Sequence, residues 1–313
     1  MKPARKGLGH WRQVLPSVIF FAALSGGAWA QEQPVDLLQK TQFVDDIGAS
    51  ERIDYSGKLR MLSQRIAADA CYFTAGVDRA RSGDELASTS ELFQQIITAL
   101  EFGDVSLNII GEESRGRTRR VLANLHAEWD PMLEKAHEIE ASGGSVEDVA
   151  VIAHESDAVL EQAKLLVVEI SGQYSNPAAL LQADALLIDI AGRQRMISQR
   201  ISKNVCLIAM GVDTQNAQAQ LASAAEMFDT TLHALRDGLE QVGIKPPPNA
   251  EIAAGLDVVL ENWKDLKPIV DLALAGGVVD EEQRSIMFTG ANQMTANMNA
   301  VVGLYSEASK LGL

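Results

Sequence analysis

Aromatic residues are scarce in this chain of 313 residues: they make up 5% of it, although apolar residues as a whole make up 47%. A core of that composition is aliphatic, built from Ala, Leu, Ile, Val and Met. Packed helices suit that vocabulary better than sheets, which favour aromatic and β-branched residues. Basic residues are also in short supply, 27 against 42 acidic ones, which gives a formal net charge of −15. Such a chain repels nucleic acid and anionic membrane surfaces and excludes both as partners. Cysteine occurs only at Cys71 and Cys206. Two cysteines are not a disulfide framework, and a chain this long needs none to fold. Beyond the N-terminal region, no segment has the uninterrupted apolar length of a membrane span.

The usual signatures of catalysis are missing too. The chain has no Gly-x-Ser-x-Gly, P-loop, His-Glu-x-x-His or Cys-x-x-Cys pattern. Glu134-Lys135-Ala136-His137 fits the Glu-x-x-His of di-iron bundles, but such sites need a second copy and there is none. His126, His137, His154 and His233 are scattered, and Met287, Met294 and Met298 recur at the spacing of a helix core rather than of a metal site. The sequence therefore reads as non-catalytic and without a cofactor.

What is present begins at the N-terminus. Lys2, Arg5, Lys6 and Arg12 form a basic region with no acid among them. An apolar stretch from Val14 to Ala23 follows, and the segment closes on Ala28-Trp29-Ala30. A small-x-small tripeptide after a short apolar run has the form of a signal-peptidase site. Residues 1–30 are thus expected to be a cleaved signal peptide, the mature chain to begin at 31, and the protein to be exported to the periplasm.

Displaced by 135 residues, the chain matches itself. The segment Ile53 to Asp78 lies over Ile188 to Asp213 with thirteen of 26 positions identical. Cys71 falls on Cys206, and Gly76-Val77-Asp78 on Gly211-Val212-Asp213. Weaker matches continue at the same displacement, Phe93 with Phe228 and Ala99-Leu100 with Ala234-Leu235. Unrelated segments would share about one or two positions in that window, so the chain carries a duplication. Two domains are expected, 31–175 and 176–313.

Each unit reads as four helices. In the second, Asn176 can cap and Pro177 can occupy the first helical position of a helix running to about Gly211. Helices over 214–242 and 250–274 follow, the first closed by Gly243 and Lys245-Pro246-Pro247-Pro248 and the second by Gly276-Gly277. The last begins at Asp280-Glu281-Glu282, acids suited to a helix N-terminus, and runs towards Lys310. The first unit is expected to break at Gly83, at Gly111–Gly116 and at Gly143-Gly144, with Ser145 and Asp148 forming a capping box. The fold class expected is all-α, two tandem antiparallel four-helix bundles.

The repeated segment is the one concentrated chemical signal. On a helix, Gly57, Arg60 and Gln64 share a stripe, as do Gly192, Arg195 and Gln199. A mid-helix glycine costs about 1 kcal/mol against alanine, so a packing reason is expected for it, the close approach of another backbone. Neither Arg60 nor Arg195 has an acid three or four residues away in its own helix. Asp54 with Lys58, Asp189 with Arg193 and Arg65 with Asp69 do form ready-made pairs, worth a few tenths of a kcal/mol each. The two unpaired arginines fit an anion site, or a salt bridge to another helix.

The segments Asp54 to Arg65 and Asp189 to Arg200 resemble the first-helix box of the periplasmic sensor domains of nitrate/nitrite-sensing histidine kinases. The same PilJ/NarX-type domain stands at the N-terminus of type IV pilus methyl-accepting chemotaxis transducers. The resemblance implies a four-helix bundle, and two boxes facing each other across a dimer axis with the arginine of each Arg-Met pair gripping an anion. Those arginines are Arg60 and Arg195. Ser-Gln-Arg stands here where the nitrate sensors carry a tyrosine before the second arginine, which places the chain nearer the pilus-transducer branch.

The chain is thus expected to be a periplasmic ligand-binding or sensory protein for a small oxyanion of the nitrate or nitrite kind and, in departure from that family, to lack its own output domain. Arg60 and Arg195 would be the grip, over Gly57 and Gly192, with Gln64 and Gln199 as a second hydrogen-bonding pair. The alternative is an interaction module that docks on a membrane-bound sensor, transducer or pilus-associated complex without a small ligand. The paired boxes would form an intramolecular pseudo-dimer, or a homodimer. If the arginines face each other, Cys71 and Cys206, eleven residues further on, point to the same axis. They could then form a disulfide, or remain two small apolar core residues inherited by duplication.

Overall fold

The computed structural model describes residues 49–174 and 182–311. The signal segment 1–30 and the Asn176-Pro177 helix start lie outside the described residues. The first unit consists of α1 (Ala49–Thr74), α2 (Arg79–Phe102), α3 (Gly116–Ser142) and α4 (Val146–Tyr174). The second consists of α5 (Gln182–Met210), α6 (Thr214–Asp237), α7 (Ala250–Leu274) and α8 (Glu281–Leu311). In each unit every helix packs on its two neighbours in an antiparallel ring, and α1 packs against α5 to join the rings. The chain is all-α, two tandem helical repeats, with no strand among the described residues.

Helix ends follow local chemistry that the duplication preserved. Gly76 and Asp78 adopt left-handed φ of 76° and 39°, and Gly211 and Asp213 adopt 72° and 38°. Glycine takes that conformation without strain and Asp is among the few others that visit it. Val77 N–H reaches back to Tyr72 O at 3.0 Å, and Val212 N–H to Leu207 O at 2.9 Å, which satisfies the last carbonyls of α1 and α5. The helix break in the first unit is therefore at Gly76–Asp78 and not at Gly83, which lies inside α2. A Cβ on Gly83 would come within 3.1 Å of the Phe73 ring, so this glycine serves a close approach rather than a turn.

Helix α6 also ends earlier than its sequence suggests, at Asp237 rather than near 242. Gly238, at φ 83°, turns the chain out, and a short bridged turn from Leu239 to Ile244 follows. The first unit has the same device between Asp104 and Ile109. Ser145 and Asp148 form a reciprocal capping box at the start of α4, with N–H···O contacts of 3.0 and 3.1 Å.

The two cores are equivalent. Phe93 stacks on Trp129 with ring centroids 4.0 Å apart, and Phe228 meets Trp263 at 5.0 Å. Each indole N–H donates across its bundle at 2.7 Å, to Gln94 Oε1 and to Asp229 Oδ1. Leu59, Leu62 and Ile66 of α1 are fully buried, each worth about 1.5–3 kcal/mol of apolar burial. Helix α1 touches α2, α4 and α5, so its polar residues are enclosed along with its apolar ones. Arg60, Ser63, Gln64 and Asp69 are all buried. That is where the repeated box sits.

Candidate functional site

Helices α1 and α5 run in the same direction with equivalent positions of the repeat side by side. Cys71 and Cys206, 135 residues apart in sequence, are joined by a disulfide with Cα atoms 6.2 Å apart. Eleven residues earlier on each helix, about 16 Å along it, stand Arg60 and Arg195. Equivalent residues meet at both levels only if the helices are parallel and in register. The seam therefore lies within one chain, about a pseudo-two-fold axis.

At the arginine level, each side chain crosses the seam. Arg60 donates through Nη1 and Nη2 to Asp189 Oδ1 at 3.3 and 3.2 Å. Arg195 Nη1 lies 3.5 Å from Asp54 Oδ1. Asp54 and Asp189 are themselves equivalent positions of the repeat, so the two bridges are reciprocal. The second oxygen of each aspartate stays on its own helix, Asp54 Oδ2 with Lys58 at 2.9 Å and Asp189 Oδ2 with Arg193 at 2.6 Å. Both readings of the arginines' missing partners were open from sequence; in the structure another helix supplies the acid.

The two guanidinium groups also lie close to the same pair of glycines. A Cβ on Gly57 would lie 3.7 Å from Arg60 Nη2 and 3.8 Å from Arg195 Nη2; on Gly192 the distances are 3.9 and 3.4 Å. Both arginines thus lie over the same small patch of two glycines. The approach sequence reasoning expected there was that of a backbone; it is the guanidinium pair that comes close instead. Burial pulls both arginines below their ordinary pKa, and the aspartates oppose it. For Arg60 the nearby charges of Arg193 and Arg195 pull in the same direction as burial. Guanidinium stays charged in proteins, so the pair holds two like charges in a poorly solvated place. Arg60 Nε is buried with no acceptor, while Arg195 is better held, by Asn299 Oδ1 at 2.6 Å and Gly192 O at 3.4 Å.

Gln64 and Gln199 are not brought to this clasp. Gln64 Nε2 donates to Ser156 O on α4 at 3.0 Å, and Gln199 Nε2 to Thr295 Oγ1 on α8 at 2.8 Å. Each ties its box helix to the last helix of its own unit. One turn beyond arginine on a helix crowded from three sides, the amide is claimed by the nearest backbone or hydroxyl. Sequence reasoning missed Asn299, whose only signal is an exposed Asn on α8. It also missed the double duty of Asp54 and Asp189, which their adjacency to Lys58 and Arg193 concealed. Among the described residues, no group of three or more His, Cys, Asp or Glu is placed to hold a metal ion.

Comparison with known proteins matches this picture of two equivalent units. The family model for the type IV pili methyl-accepting chemotaxis transducer N-terminal domain (PilJ) fits residues 47–154 and again 179–286. Those spans begin just before α1 and α5 and each take in a box, its arginine and its cysteine. No curated protein matches the chain. Among the described residues no helix is long and apolar enough to cross a membrane. With most of its length matched, the chain belongs to the PilJ family of sensory transducer N-terminal domains and carries that domain twice.

Proposed function

We propose that this protein is an exported sensory protein that binds one small oxyanion, of the nitrate or nitrite kind, between its two units. One observation carries the reading: Arg60 and Arg195, buried and like-charged, converge from equivalent positions over Gly57 and Gly192. Planar guanidinium forks match a planar or tetrahedral oxyanion better than point charges do. A bound anion neutralises the repulsion between them and offers Arg60 Nε the acceptor it lacks. Binding then strengthens the α1–α5 seam, and a membrane-bound transducer is the partner such a change would reach. The role proposed is binding rather than turnover.

Calorimetric titration of nitrate, nitrite, sulfate and phosphate into the purified protein tests the reading. One anion per chain is expected, lost in Arg60→Ala and Arg195→Ala and weakened in the Lys variants, which keep the charge but not the fork. At a hundred times its dissociation constant the ligand adds about 2.7 kcal/mol of stability, visible as a raised melting temperature. Failure of all four anions to bind, or unchanged binding in both Ala variants, overturns it. N-terminal sequencing of periplasmic protein should read from Gln31; an intact Met1 would overturn the export claim.

A further inference from the structure

We infer that Asp54 and Asp189 are built-in competitors for the two arginines, and that Lys58 and Arg193 hold them when they let go. The inference rests on the oxyanion reading and says how that site is regulated. Each aspartate is divided between two cations, one oxygen to each. The bonds within a helix, 2.9 Å for Asp54–Lys58 and 2.6 Å for Asp189–Arg193, are the short ones. The bonds across the seam, 3.5 Å for Asp54–Arg195 and 3.2 Å for Asp189–Arg60, are the long ones. Charge-assisted N–H···O bonds are strongest near 2.7–2.9 Å, so the seam bonds are the weaker half of each bridge. Exposure divides in the same way. The aspartate side chains are 40% and 33% exposed, the arginine side chains 4% and 8%.

The consequence is an exchange that strands no charge. When an anion takes both guanidinium groups, Asp54 remains paired with Lys58 and Asp189 with Arg193, both in contact with water. Each arginine exchanges one anionic partner for another without being left alone in a buried place, which would be the costly state. Without Lys58 and Arg193, a freed carboxylate would sit unneutralised beside a bound anion, and it would hold its arginine more tightly to avoid that. Lys58 and Arg193 are therefore positioning residues: they act on the anion through the aspartates.

A double-mutant cycle on Asp189 and Arg193, with nitrate as the probe and chloride as the ionic-strength control, tests this. Asp189→Asn is expected to tighten nitrate binding about tenfold, and Arg193→Gln to weaken it by a similar factor. In the Asp189→Asn background Arg193→Gln should then change nothing, because the residue it acts through is gone. A general field effect of the charges would instead add in the double variant, and that result overturns the inference. So does nitrate binding that ignores Asp189→Asn, which leaves the oxyanion reading standing. Absence of binding of nitrate, nitrite, sulfate and phosphate alike, in the wild type and in Asp54→Asn/Asp189→Asn, defeats the reading itself, and the inference with it. Arg193 is 58% exposed, and its ion pair among the described residues lies within its own helix, so its variant is expected to fold. The cycle on Asp54 and Lys58 repeats the test on the other half of the clasp.

Discussion

Lys203 of α5 leaves its own bundle and donates to Asp157 of α4, in the other unit, at 2.8 Å. Its side chain is 1% exposed and that of Asp157 is 32% exposed. Ser156 Oγ accepts a second bond from the ammonium at 3.1 Å, and Gln220 of α6 donates to the other carboxylate oxygen at 2.9 Å. The equivalent of Lys203 in the first unit is Ala68. This bolt therefore crosses the seam in one direction only, unlike the reciprocal arginine–aspartate bridges.

The unequal burial of the two partners predicts unequal mutants. Lys203→Ala leaves a carboxylate that water and Gln220 can still serve. Asp157→Ala leaves a buried ammonium unpaired, which costs about 3–5 kcal/mol when nothing relaxes. Burial pulls Lys203 down to about 8, and Asp157 pulls the other way; removing Asp157 lowers it further. The unfolded chain holds this proton up to about 10.5. Between the folded and unfolded values the unfolded state binds more protons, so stability rises with pH. Urea melts should therefore show the Asp157→Ala deficit largest at pH 7 and shrunken by pH 9.5. A deficit that stays constant with pH would mean that Lys203 is not held as an unpaired cation.

Asp69 gives the opposite sign. It is buried on α1, accepts from Thr89 Oγ1 at 3.1 Å, and its other oxygen has no partner. Burial raises its pKa to about 7, against the pull of Arg65. A carboxyl raised above its unfolded value contributes most at low pH, and the contribution is lost as pH rises through the folded pKa. The second unit has Asn204 here, with Nδ2 donating to Arg200 O at 2.8 Å. Asp69→Asn can make the same bond to Arg65 O. The variant should be more stable than wild type at pH 8 by about 2–4 kcal/mol, with the gap reduced by about half or more at pH 5 and closed only below about pH 4. Denaturation midpoints at the two pH values measure it, and equal gaps at both would refute the assignment.

These particulars show what was legible in the sequence and what was not. The duplication, the eight α-helices of the described residues and most of their ends could be read, because caps and left-handed glycines act within a few residues of themselves. Gly83 misled because a glycine that admits a neighbouring ring looks in sequence like a glycine that turns the chain. The arginines could be singled out by the acids they lack nearby. Their partners could not, since Asp54 and Asp189 meet them only across a parallel seam, and adjacency to Lys58 and Arg193 already explained those acids. The glutamines were assigned to the anion by helical phase alone, whereas the closest hydroxyls and carbonyls, on α4 and α8, decide where an amide turns. Lys203 against Ala68 was visible as a difference, but its reach into the other unit was not.

The joined cysteines yield a prediction of their own. Denatured, unreduced protein should have no free thiol. The bond closes a loop of about 135 residues, for which chain entropy gives up to about 5 kcal/mol, although measured values are more often 2–4. Cys71→Ala/Cys206→Ala should melt lower by that order while keeping its helical circular dichroism, since both bundles retain their own cores. Two thiols per chain in the untreated protein, or an unchanged melt in the double variant, would show that the seam is held by packing and the polar bridges alone.

The two glycines separate stability from binding. In the clasp as it stands, a Cβ on Gly57 or Gly192 would make ordinary van der Waals contact with the guanidinium groups, at 3.4–3.9 Å. Neither glycine is therefore required for the closed arginine–aspartate arrangement. Alanine in mid-helix gains about 1 kcal/mol over glycine at each position, so Gly57→Ala and Gly192→Ala should each raise the melting temperature of the ligand-free protein. The same methyl groups would rise from the floor between the two arginines, where an oxyanion must enter to reach both forks. Loss of one well-placed charge-assisted bond is worth roughly 1.5–3 kcal/mol, so nitrate binding should weaken by about tenfold or more in Gly57→Ala and further in the double variant. Melting and titration on the same samples decide the matter. A higher melt with unchanged nitrate affinity would place the anion away from the glycines, and a lower melt would mean that the glycines serve packing in the closed clasp after all.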